Sequence, residues 1–512
     1  MTASTATVTV SASHPVLAAN ASSWQSLPDP FPLGPMDHYV STAVPVQVVF
    51  LYAQPSPPAR ELIPLDRLRR AMEWVLDYYP HLTGRLHVNE QNGERSITRL
   101  GTGAGLYEAS CPSRLEQFSS PALPGRVSLQ RLPAAGNALL APYDPSLEGV
   151  MRDPLFAVQH TRFACGSVAL GVRVHHIVAD ADGYFQFVRD LAEIYRGLLA
   201  LEMKGPAGEL PDLAQPPHFK PYMSELMGGK MAPEEQHSAL AFKPSLFFAG
   251  PDATPDLEGE AIPEAAAAIE VLPLDPATTT GHFVRYSGAE LQALKDAATE
   301  PSGDGWVSTF DALSAHTYQC VHRARLQLRA KDPSFGELSP TDILTSVNLR
   351  PRLGKDLPQR YFPQAVFAPW VEIPPDVLAS CPLWKIAKYV HDMMRAPSTS
   401  KAEINSTLRW IAALPNKAKI GSGFRFGSGS FMISQWNKTD MYPGTTFEVR
   451  PVLVSPPFTP ISLCDGLLYP LPTEDQGTDE DTKAVDVAVA LSDPVWEFLI
   501  QDGRCMGGLI ID

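Results

Sequence analysis

Between residues 168 and 176, Val168, Leu170, Val172 and Val174 alternate with Ala169, Gly171 and Arg173, the two-residue period of a strand with unlike faces. His176 falls on the valine face, and His175 on the face of Arg173. After Gly183 the spacing changes. Phe185, Val188, Leu191, Ala192, Tyr195, Leu198 and Leu199 recur every three or four positions, as along one side of an amphipathic helix. The pattern predicts a strand, a tight turn and a helix, with two histidines where the strand ends.

Similar patterning recurs further along. Ser308 opens a helical stretch with Asp311 as its capping-box partner, and Leu313, Thr317, Cys320, Val321 and Ala324 share one face, so capping alone accounts for both polar residues. Residues 341–350 alternate Ile343, Thr345, Val347 and Leu349 with Leu344, Ser346, Asn348 and Arg350, which predicts one continuous strand. The 50 prolines gather in connections. Residues 205–274 read as a crossover between two halves, with some helix around 264–269, and residues 473–482 as a solvated acidic loop.

The turn between strand and helix carries candidate chemistry. A histidine at a strand end can present its imidazole to a cavity, and its ordinary pKa suits it to take a proton from a hydroxyl or amine near neutral pH. Asp180 follows four residues later. It has two open roles: to orient His176, or to lock the turn by pairing with a distant cation. A histidine and an aspartate at this spacing are as compatible with structure as with catalysis.

The run Val174-His175-His176-Ile177-Val178-Ala179-Asp180-Ala181-Asp182-Gly183 resembles the HHxxxDG signature of the BAHD acyltransferases. Other segments resemble that family in the same order. They are Tyr79-Pro80-His81-Leu82-Thr83-Gly84-Arg85-Leu86, Asp153-Pro154-Leu155-Phe156, the Ser308 helix, and Ser346-Val347-Asn348-Leu349-Arg350-Pro351-Arg352-Leu353. The resemblance implies an α/β chain with the two-domain fold of chloramphenicol acetyltransferase, mixed sheets flanked by helices. The halves would span residues 1–215 and 286–512, with 216–285 as crossover and loops. It further implies that His176 is the general base, that Arg350 pairs with Asp180 to turn that carboxylate from the site, that Gly183 is structural there, and that Ser434 and Trp436, within Ile433-Ser434-Gln435-Trp436, stabilise an oxyanion. Ser308 would lie near the donor's tail.

Three departures separate the chain from the family pattern. The signature's glycine is Ala181, with Gly183 two residues on. Tyr361-Phe362-Pro363-Gln364 stands where the family has YFGN. The DFGWG motif has no counterpart, and Met441-Tyr442-Pro443-Gly444-Thr445-Thr446-Phe447-Glu448 follows Trp436. The last difference bears on the donor side. Divergent fungal members, similar to trichothecene acetyltransferases, carry degraded versions of this motif.

Composition narrows the picture. With 512 residues and 44% hydrophobic content the chain can bury two cores. A net charge of −15 argues against nucleic acid or an anionic membrane as partner. No Lys or Arg precedes Arg60, which speaks against a signal peptide or presequence. Six scattered cysteines suggest neither a metal site nor a disulfide framework. Composition points to a cytoplasmic protein, and the resemblance implies a monomeric transferase with no permanently bound cofactor, taking an acyl group, with acetyl as the starting expectation, from acyl-coenzyme A to an alcohol or, second, an amine. A condensation-type transferase using a carrier-protein donor and a noncatalytic metabolite-binding member of the fold are the competing readings.

Overall fold

In the computed structural model, which describes residues 7–56, 60–204, 212–251, 279–303, 305–479 and 481–512, the alternating stretch becomes the strand Val168–His175. It lies in a six-stranded sheet between Phe156–Phe163 and Pro45–Tyr52. Ala104–Cys111 and Thr9–Val16 extend one side, and Leu453–Ser455 the other. Pairing is antiparallel except between Ala104–Cys111 and Phe156–Phe163.

Every residue of Val168–His175 is buried, so its faces do not differ in exposure as the alternation suggests. The polar position is absorbed internally. Arg173 donates to the Pro142 carbonyl at 2.5 Å and lies over the Tyr143 ring. Gly171 lets the chain at Leu139 and Leu140 pass against the strand, since a Cβ there would collide with the Leu139 carbonyl oxygen.

The following helix, Ala181–Lys204, begins three residues before the predicted start after Gly183. Asp180 explains the difference by capping it: its Oδ1 accepts the Gly183 N–H at 2.9 Å, which satisfies a donor that the first turn leaves free. This helix packs beside Leu65–Tyr78. Ser308 caps Thr309–Lys331 as predicted, accepting from Asp311 N–H at 3.1 Å while the Asp311 carboxylate accepts from Ser308 N–H at 2.8 Å.

A second, nine-stranded sheet has the order Trp370–Glu372, Asp342–Thr345, Phe431–Ile433, Leu467–Pro472, Val485–Ser492, Thr279–Tyr286, Gly508–Ile510, Arg504–Cys505 and Ile500–Gln501. Residues 341–350 are not one strand. Asp342–Thr345 belongs to this sheet, whereas Val347–Asn348 pairs with Val366–Phe367, and Arg350 opens the short helix Arg350–Leu353. The chain changes partners at Ser346, whose N–H bonds the Ile433 carbonyl at 3.2 Å. Alternation cannot register such a switch, because both segments keep a period of two.

Leu453–Ser455 ties the chain's second half to the sheet of the first. Of the predicted solvated loop, Gly477, Thr478, Asp479 and Thr482 are exposed as expected, whereas Glu474 and Gln476 take part in this join. The carboxylate of Glu474 accepts from Arg285 at 2.7 and 2.9 Å and pairs with Arg126, and the Gln476 side chain holds the N–H groups of Met441 and Tyr442. The helix predicted around 264–269 lies outside the described residues. Among those described, no helix is long and apolar enough to cross a membrane.

Gly171→Ala should lower stability by about 1–3 kcal/mol through overpacking. The check is a fall in the urea midpoint with little change in slope.

Candidate active site

His176 follows the last residue of its strand, and its N–H reaches the Val44 carbonyl at 3.3 Å. The two adjacent histidines have unlike surroundings. His175 is latched: Nδ1 accepts the Ile177 N–H at 3.2 Å and Nε2 faces the Thr42 carbonyl at 3.0 Å. Burial first, then the charge of Arg173, pushes its pKa down to about 3. His176 lines a cavity. Burial also holds its pKa below the ordinary value, opposed by its own backbone carbonyl and by the charge of Asp180. The imidazole is therefore neutral near pH 7, the state a proton acceptor requires.

Asp180 faces away from the cavity, and its side chain is buried. Arg350 embraces it with two hydrogen bonds, Nη1 to Oδ2 at 2.8 Å and Nη2 to Oδ1 at 3.0 Å. The Ala365 N–H adds a bond to Oδ2 at 2.8 Å, and the Gly183 N–H completes the set. The same guanidinium donates to the carbonyls of Tyr361 at 3.0 Å and Pro363 at 2.9 Å. One buried pair thus joins the strand end, the helix start and residues 361–365. Gly183 is pressed against this last segment, where a Cβ would collide with the Phe362 carbonyl. The position that requires glycine is accordingly 183, while Ala181 is simply the first helical residue. Asp182 lines a separate surface depression and bonds Asn348.

The cavity holds about 200 Å³. His176 enters it from the six-stranded sheet, and Ser434 and Trp436 from the chain just beyond the strand Phe431–Ile433. That chain is held in place by the Ser434 N–H on the Leu468 carbonyl at 2.9 Å and the Trp436 N–H on the Pro470 carbonyl at 3.1 Å. The indole Nε1–H donates to Ser434 Oγ at 3.0 Å, which leaves the hydroxyl hydrogen free for another acceptor. Trp436 packs edge-on against Phe185 and Tyr469. Gln47, Pro457, Phe458 and Ser462 form other walls, and among the described residues no Lys, Arg, Asp, Glu or Cys lines the space.

The structure brings His176, Ser434 and Trp436 to one cavity and places Asp180, Arg350 and Gly183 behind it. Ser308 is not among the lining residues, and its hydroxyl is engaged in capping. Sequence reasoning missed Gln364. Its buried side-chain Nε2 lies 2.6 Å from His176 Nδ1 and also bonds the His176 carbonyl. The only signal was its place at the end of the altered YFGN segment. Residues 441–448, which replace DFGWG, form an anchor. The Thr445 carbonyl accepts from Tyr52 at 2.9 Å, and the buried Glu448 takes Arg67 at 2.6 Å and Arg60 at 3.1 Å.

The chain matches the Transferase family over residues 6–503. It is 25% identical over 304 residues to hydroxycinnamoyltransferase 2 of Oryza sativa subsp. japonica, covering 59% of this chain and spanning 58% of that enzyme's length. Among solved structures it resembles vinorine synthase, with a TM-score of 0.65, 15% identity and 99% of each chain covered. It also resembles F. graminearum TRI101 complexed with coenzyme A and T-2 mycotoxin, with a TM-score of 0.63, 17% identity, and 94% and 99% covered. These likenesses bear out the two-domain α/β fold of the chloramphenicol acetyltransferase type. The chain belongs to the Transferase family, the BAHD acyltransferases.

Proposed function

We propose that this protein moves an acyl group from coenzyme A onto a hydroxyl of a small specialised metabolite. The observation that carries this reading is the convergence of a neutral, partly buried imidazole and a polarised hydroxyl on one cavity. A fold relative solved with coenzyme A and a mycotoxin supports both substrate classes. The same relative supports a coenzyme A donor over a carrier protein. Acetyl is the acyl group we propose, and a cytoplasmic monomer the setting.

In this mechanism His176 takes the acceptor's proton at Nε2 as the oxygen attacks the thioester carbonyl. The Ser434 hydroxyl donates to the oxyanion and is itself polarised by the Trp436 N–H behind it, so the two act in series rather than side by side. Collapse breaks the carbon–sulfur bond, and the leaving thiolate regains the proton from His176. Transfer is direct, and among the described residues no cysteine lines the cavity to carry the acyl group. That no cationic side chain lines it among the described residues favours a neutral acceptor over a carboxylate.

Acceptor-stimulated thiol release from acetyl-coenzyme A tests the reading. His176→Ala should lose at least about 10²-fold in rate while keeping its melting temperature. Asp180→Ala should instead lose about 3–5 kcal/mol of stability, because the largely covered Arg350 is left without its partner. An Asp180→Ala enzyme of normal stability but no activity would make Asp180 a direct orienter of the base.

The pH profile supplies a second test. A base whose pKa is held below 6.5 is already deprotonated at neutral pH. The rate should therefore rise with pH on a limb centred below 6.5 and be flat near 7; a limb centred above 6.5 would contradict the assignment.

Ser434→Ala should lower kcat by about 10²-fold or more as a lost oxyanion donor, whereas Trp436→Phe, which removes only the polarising N–H, should cost less. Equal losses measured in the same assay would favour direct donation by both.

A further inference from the structure

Among the described residues Gln364 is the one side chain that grips the imidazole of His176, and its own backbone is fixed on both sides. The Pro363 carbonyl before it accepts from Arg350 Nη2 at 2.9 Å, and the Ala365 N–H after it bonds Asp180 Oδ2 at 2.8 Å. Its side chain is buried, with Nε2 2.6 Å from Nδ1 and on the His176 carbonyl. We infer that Gln364 is the positioning residue for His176, holding the ring by Nδ1 and deciding which ring nitrogen carries the proton. The inference rests on the reading of His176 as the base.

The chemistry follows from donor and acceptor types. A carbonyl only accepts, so the amide end that meets the His176 carbonyl is the nitrogen. That nitrogen also donates to Nδ1, and a neutral ring that accepts at Nδ1 carries its proton on Nε2. Nε2 must be bare to take a proton from an alcohol. The ring's proton therefore leaves Nε2 to solvent and one is gained at Nδ1, with no net change. The amide then turns so that its oxygen, an acceptor, meets the new Nδ1–H while its nitrogen stays on the His176 carbonyl. Gln364 thus keeps His176 aimed in both states and holds the empty site in its non-basic form. The charges that bear on the ring are few: Asp180, itself matched by Arg350, and the adjacent His175, which is buried and neutral.

The arrangement also routes the Asp180–Arg350 pair to catalysis without contact with substrate. The pair fixes residues 363 and 365, these fix Gln364, and Gln364 fixes the imidazole.

The test is ring-nitrogen NMR on protein labelled with 15N-histidine, the His176 signals being identified by their loss in His176→Ala. Wild type without substrate should show Nδ1 unprotonated and Nε2 protonated near pH 7. Gln364→Leu, close in volume, should lose that preference. Gln364→Glu, whose carboxylate can only accept, should reverse it. In the thiol-release assay Gln364→Leu should lower kcat about tenfold or more as the base loses its aim, with KM for acetyl-coenzyme A within about twofold. Gln364→Glu should move the acid limb of kcat/KM upward by about one pH unit, the direction a carboxylate imposes on a neighbouring imidazole. Identical ring shifts in wild type and Gln364→Leu would overturn the inference. So would a lowered melting temperature with ring shifts and pH profile unmoved, because Gln364 would then only fill space. The NMR readout needs no turnover, so an inactive wild type would count against acyl transfer and leave the positioning test standing.

Discussion

The buried ion pair between Asp180 and Arg350 is the interaction on which the site depends. Removing two charges from water is costly, and such a pair is tolerable when hydrogen bonds satisfy its remaining lone pairs and protons. Here they do. The carboxylate receives two guanidinium bonds and two backbone N–H groups, and the guanidinium also serves two carbonyls. Those partners come from the start of one helix and from residues 361–365. The pair therefore fixes the relation between the strand that ends at His176 and the segment that carries Gln364. Glycine at 183 is part of the same join, because nothing larger fits beside the Phe362 carbonyl.

Much of this was legible from the chain. The strand, turn and helix around His176 follow from a change of period, the Ser308 cap from its spacing to Asp311, and the pairing of Arg350 with Asp180 from family resemblance. What escaped did so for tertiary reasons. The break at Ser346 leaves the alternation intact while the strand changes sheets. The burial of both faces of Val168–His175 depends on what covers the sheet, which a one-strand pattern does not encode. Glu474 looked solvated because its partners, Arg126 and Arg285, lie hundreds of residues away. Gln364 is an ordinary polar residue until the fold sets it against His176.

The departures from the family pattern acquire physical content. Ala181 occupies a helical position that does not require glycine, and Gly183 supplies the close approach. In place of DFGWG, Thr445 and Glu448 hold the connection to the first sheet and its helices through Tyr52, Arg60, Arg67 and Tyr195. The cavity remains framed by both halves of the chain, with the imidazole on one wall and the Ser434–Trp436 pair on another. Among the described residues its lining is uncharged, and under the proposed mechanism charge would arise there only at the oxyanion and the imidazole.

The most direct test of this account is the steady-state behaviour of Asp180→Asn at a temperature where circular dichroism shows the variant folded. Asparagine keeps the size of the side chain but loses the charge that orders Arg350 and residues 361–365. If the ion pair acts by aiming His176, the folded variant will bind acetyl-coenzyme A with little change and show a lowered kcat. A folded Asp180→Asn protein with wild-type kcat would contradict the account, because the base would then hold its position without the pair.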